Sequence, residues 1–189
     1  MEKPRIEIRD DYAKYKSLCF DKKVTSVNPV KFTQEKPSRP DYLYHVSPLK
    51  HGYRLDLIAL MAEQKKLNTS SYKFQIRCEA FCKSPLFRFD SDGSAHQNKN
   101  TPLGQQQILT PHFNEYDSEG NGHAYQTDEI IDVSCDDLKD MNRFFGIFCN
   151  ECNISLDDDS QPVIIPGDSS LLNFDMDNAD PLIDINFTV

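Results

Sequence analysis

The runs PLFRFDSDG (residues 85–93) and TPHFNEYDSEGNGHAYQT (residues 110–127) decide how this chain is read. Side chains on a strand alternate between faces, so Arg88 and Asp90 share one face while Phe87 and Phe89 point to the other. His112, Asn114 and Tyr116 repeat that spacing on a second extended run, with Phe113 turned away. The SEGNG that follows is a reversal signal, and His123–Thr127 is expected to return as the hairpin partner. Two ribbons, each apolar on one side and chemically capable on the other, point to a sheet with a polar working face.

Upstream, Tyr72, Phe74, Ile76 and Cys78 alternate with Lys73, Gln75, Arg77 and Glu79, the pattern of a half-buried strand. RLDLIALMAEQKK (54–66) is ambiguous: Leu55, Leu57 and Ala59 alternate, yet Ala, Met, Glu, Gln and Lys favour helix. The short polar link LNTSSY makes a β-hairpin the reading. Downstream the period changes. In DDLKDMNRFFGIFCNEC (136–152), Leu138, Met141, Phe145, Phe148 and Cys152 form a helical stripe, with Asp136 or Asp137 available to cap its start. These elements predict an α+β fold: an antiparallel sheet with one C-terminal amphipathic helix packed on its apolar face, in two layers.

The flanks read differently. Residues 1–50 carry Pro4, Pro29, Pro37, Pro40 and Pro48 and are expected to form an extended arm. A short helix near Asp11–Cys19 follows from the spacing of Tyr12, Tyr15 and Cys19. The core domain is then 51–154, and 155–189 is an acidic-hydrophobic tail. All 21 Lys and Arg precede residue 150, whereas nine of the 30 acids follow it, so the net charge of −9 belongs to the last forty residues. That balance excludes nucleic-acid binding by bulk attraction and leaves only a local patch for it. Six Cys, no apolar leader and no membrane-length apolar run predict reduced thiols in the cytoplasm and no membrane span.

Three constellations carry chemistry. Arg88, Asp90, His96 and His112, with Tyr116 and His123 nearby, offer the parts of metal-free RNA cleavage: His112 and His96 as base and acid, Arg88 as phosphate clamp, Asp90 to orient them. The bland reading is a same-face ion pair beside surface histidines. Cys78, Cys82, Cys149 and Cys152 supply four thiols for zinc, but Cys78 and Cys152 also continue apolar stripes, so buried free thiols are preferred and no metal is expected. In the tail, Phe174, Asp175, Asp177, Ile183, Asp184 and Phe187 alternate acid with bulk and suit a partner's basic, apolar groove. With no P-loop, GxGxxG, HExxH or GxSxG, no cofactor is expected.

Arg88-x-Asp90, Gly93, His96-x-Asn98, Pro111-His112, Ala124-Tyr125 and Cys152-Asn153-Ile154 together resemble a group of small bacterial and phage-associated proteins of unknown function. More remotely the pattern is similar to TumE-type toxins of toxin–antitoxin pairs. The resemblance spans roughly residues 72–154 and implies a defence, toxin–antitoxin or mobile-element setting. Where that pattern has a second His, this chain has Asn114, which hydrogen-bonds but is no base near neutral pH. The expected function is therefore an intracellular interaction protein. It would bind a protein partner through the polar sheet face, with Asn114 and Tyr116, and through the tail. The alternative is an endoribonuclease-like toxin.

Overall fold

The structure is a computed structural model that describes residues 3–32, 34–52, 54–98, 101–102 and 106–167. The N-terminal residues are not an extended arm. They form α1 (Ile6–Asp10) and α2 (Tyr12–Phe20), and α2 buries Tyr15, Leu18 and Cys19. Asp11 caps α2 by accepting from Lys14 N at 3.1 Å. At the other end Lys23, fully buried, donates from Nζ to Cys19 O at 2.8 Å and to Asp21 O at 2.7 Å. A cation there satisfies carbonyls that the helix leaves open.

Three short strands follow, β1 (Lys23–Val24), β2 (Val30–Lys31) and β3 (Gln34–Lys36), and then the 13-residue β4 (Arg39–His51). β4 corrects the expected domain boundary at residue 51. Pro48 is tolerated because β3 pairs near one end of β4 and β1 near the other, leaving the Pro48 stretch, among the described residues, paired with β5 alone. β5 (Arg54–Lys65) is strand throughout, which resolves the helix–strand ambiguity. β6 (Asn68–Cys78) and β7 (Cys82–Asp90) complete an antiparallel meander.

β8 (His96–Gln97) pairs with β9 (Gln107–Ile108), so Gln107 and Ile108 sit in a small separate ribbon. β10 (His112–Tyr116) and β11 (Gly122–Tyr125) form the expected hairpin, and β10 lies against β7. The helix starts later than the sequence implied. Asp137 lies in a 3-10 turn and accepts from Ser134, while Asp140 caps α3 (Met141–Glu151) through Arg143 N at 3.1 Å. β12 (Ile154–Ser155) and β13 (Ile164–Ile165) then run parallel to β1 and β2. The segment read as the start of a tail is thus tied down to Gly167, whose N–H donates to Gln64 Oε1 at 2.7 Å.

Among the described residues the main sheet has nine strands, ordered β11-β10-β7-β6-β5-β4-β1-β12 with β3 also on β4. The fold is α+β, with a mostly antiparallel sheet and few helices, α3 being the C-terminal one. Register aligns Tyr125, Phe113, Phe89, Phe74 and Ala62 across five strands. Phe74, Phe89 and Phe113 are fully buried, and Phe74 meets Phe145 and Phe148 of α3 at ring distances of 5.2 and 5.6 Å. Burying each such side chain contributes about 1.5–3 kcal/mol. That row fixes the opposite parity, and so positions His112, Asp90, Lys73 and Glu63 in one line on the other side.

Candidate functional site

Asp90 ends β7 and is only 3% exposed. Arg88, two residues earlier on the same face, brings Nε to 2.6 Å from Asp90 Oδ2. Lys73, directly opposite on β6, brings Nζ to 2.9 Å from Oδ1. Neither contact is aligned as a hydrogen bond; the aligned donor is Asn114 Nδ2, at 2.8 Å from Oδ2. A buried carboxylate is tolerable here because two cations and an amide meet it. Among the described residues Asn114 Oδ1 has no partner, and turning the amide over would set that oxygen against Asp90, so the hydrogen bond fixes the amide's orientation.

His112 lies opposite Asp90 on β10 and is 3% exposed. Its Nδ1–H donates to Leu109 O at 3.1 Å, which leaves Nε2 facing Asp90 Oδ2 at 3.7 Å. Burial lowers the His112 pKa, and the neighbouring Asp90 carboxylate and the Leu109 carbonyl partly oppose the shift. His96 approaches from β8, its ring edge-on to His112 with centroids 6.2 Å apart. The loop bearing it is pinned by Asn98: Nδ2 donates to Ala124 O and Oδ1 accepts from Ala124 N, each at 2.7 Å. Arg88, Asp90, His96 and His112 therefore do come together.

In front of this cluster is a cleft of about 120 Å³. Arg88 and Asn114 line it from the sheet, His96 from the loop, and Arg5, Ser84 and Pro85 from the side. Arg5 is placed by its backbone N–H, which donates to Gly120 O at 2.8 Å. Gly120 has φ +75°, and a Cβ there would stand 2.2 Å from Arg5 O, so this seam requires glycine. His112 sits behind the cleft and is not part of its wall. Glu115 also borders the cleft, with its carboxylate 4.0 Å from Lys16 Nζ.

Other expected residues fall elsewhere. Tyr116 borders the cleft but is half-buried, edge-on to Tyr15 at 6.0 Å, and Tyr15 OH accepts from its N–H at 2.9 Å. His123 pairs with Glu115 and shares the strand parity of Phe113 and Tyr125, so it belongs to the opposite side from His112. The six cysteines are free thiols; Cys78 and Cys82 are in register on β6 and β7, while Cys149 and Cys152 are buried on or just after α3. Among the described residues no three His, Cys, Asp or Glu are grouped to hold a metal ion. Phe174, Asp175, Asp177, Ile183, Asp184 and Phe187 lie outside the described residues.

Sequence reasoning missed Lys73, Arg5 and Ser84. The alternation of Tyr72–Cys78 had put Lys73 on the polar face, but only the β6–β7 register sets it against Asp90. Arg5 carried no local signal, because a distant backbone hydrogen bond brings it there. No protein-family model, curated protein or solved structure matches the chain. Among the described residues no helix is long and apolar enough to cross a membrane.

Proposed function

We propose that this chain is a non-catalytic interaction protein that binds a protein partner through the polar face of its sheet and its acidic tail. One observation carries the reading: both ring nitrogens of His112 face the protein, Nδ1 toward Leu109 O and Nε2 toward Asp90. A general base must reach the proton that it removes. With His112 behind the cleft, the Arg88–Asp90–His112–Asn114 cluster is a rigid polar support for a binding surface. A two-layer arrangement, with α3 covering the Phe face and leaving the polar face to the partner, belongs to the same reading. The ring contacts of Phe74, Phe87 and Phe89 with Phe144, Phe145 and Phe148 support it. An intracellular defence, toxin–antitoxin or mobile-element setting belongs to the same reading and rests on the R-x-D…H-x-N…P-H pattern alone.

Endoribonuclease activity is the second reading, favoured by one observation: His96 lines the cleft beside Arg88 and stands 6.2 Å from His112. The test is expression of wild type, His96→Ala and His112→Ala in a bacterial host, scored for growth arrest and cleaved RNA. The binding reading expects uncut RNA in all three; cleavage that His96→Ala abolishes would replace it with the nuclease. A chain ended at Gly167 should lose the partner that the full chain retains.

A further inference from the structure

Three cationic or protonatable side chains from distant parts of the sequence border one small cleft: Arg5 beside α1, Arg88 on β7 and His96 on β8. Their approach from separate elements suits a tetrahedral anion, whose oxygens accept from several directions, better than a planar carboxylate. Of the charged side chains that border the cleft, Arg5 and Arg88 are cationic and Glu115 alone is acidic, so the wall is net cationic. Asn114 and Ser84 add polar neighbours. Glu115, the acid on the rim, is drawn toward Lys16.

What flanks the cleft identifies the carrier of the anion. A second cleft shares Arg5 and Ser84 and continues past Pro4, Ile6, Glu7 and Lys83. Ile6 is 58% exposed, and Glu7 and Lys83 alternate in sign. A mixed apolar and two-signed track suits a peptide, whereas a nucleic-acid backbone calls for successive cations. We propose that the cleft between Arg5, Arg88 and His96 binds the phosphate of a phosphorylated serine or threonine in the partner protein, with the flanking peptide lying along α1. This deepens the binding reading and rests on it. It adds recognition of a modified side chain, a role in which partner binding is switched by phosphorylation.

The experiment follows the histidine ring resonances of the full chain by NMR. It titrates inorganic phosphate, a phosphoserine peptide, its unphosphorylated and glutamate-substituted forms, and a single-stranded RNA oligonucleotide. The expected result is a saturable shift of His96 with phosphate and with the phosphopeptide, and at least about tenfold weaker binding of the other two peptides. Arg5→Gln and His96→Gln should each weaken phosphopeptide binding about tenfold, read on variants that circular dichroism and urea unfolding show to be folded. Arg88→Gln strips a cation from buried Asp90 and is set aside as a folding risk. No saturable shift in the folded wild type, or equal binding of the glutamate peptide, overturns the phosphate site. RNA binding tighter than the phosphopeptide overturns it in favour of the nuclease reading. A partner that is retained by Arg5→Gln and His96→Gln at full strength ends this proposal while the interaction reading stands.

Discussion

Asn98 treats Ala124 as a neighbouring strand would, giving a donor and an acceptor to the backbone N–H and C=O of one edge residue at 2.7 Å each. The side chain is 5% exposed, so water does not replace these bonds when they are removed. Asn98→Ala should cost about 2–3 kcal/mol, measured by urea unfolding, because it leaves a buried N–H and C=O unpaired. It should also free the loop that carries His96, visible as loss of the distinct His96 ring shift.

Asp90→Asn removes the charge that Arg88 and Lys73 share. Both cations are about a third exposed (35% and 29%), which moderates the penalty below that of a fully enclosed pair. The expected loss is about 2–4 kcal/mol in urea unfolding.

His112 makes stability depend on pH. Its pKa is held below the ordinary 6.5 by burial, with Asp90 and the Leu109 carbonyl opposing and His96 and Arg88 adding to the depression. A base with a lower pKa when folded binds more protons when unfolded. Its contribution is therefore whole above pH 6.5 and is lost as pH falls through the folded value. Urea midpoints measured from about pH 7.5 to 5 should decline on the acid side, and His112→Gln should flatten that decline. Some slope will remain, because burial also lowers His45.

Gly120→Ala places a methyl 2.2 Å from Arg5 O at φ +75°. The N-terminal segment must then shift, breaking the Arg5 N–H to Gly120 O bond. The expected cost is about 1–3 kcal/mol. Faster proteolysis near residues 3–10, with the sheet intact by circular dichroism, would locate the damage.

The residues that were legible in the sequence are those whose neighbours are local. Parity alone put Arg88 with Asp90 and Phe87 with Phe89, and the helical stripe found Phe145 and Phe148, all of which the fold uses. Pro48 misled, because proline breaks a ladder only where its missing N–H has a partner to lose, and among the described residues β4 pairs at Pro48 with β5 alone. The convergence on Asp90 depends on register: a slip of one residue on β6 would put Phe74 or Tyr72 where Lys73 stands. Nothing in one strand's composition states which residue of the next it will face. The acidic stretch misled in its first third for a similar reason, since Ser155 and Ile164 find parallel partners far upstream.

Those parallel pairs set an order of assembly. Lys23 waits for Ile154, and Val30 for Ile164, so both early strands are synthesised more than a hundred residues before the segments that flank them. During translation the β4 side of the sheet stays an open template, and it is completed only when residues 154–165 have emerged. A message truncated near residue 150 would thus yield a protein holding most of its core yet exposing unpaired backbone at one margin, a species prone to self-association.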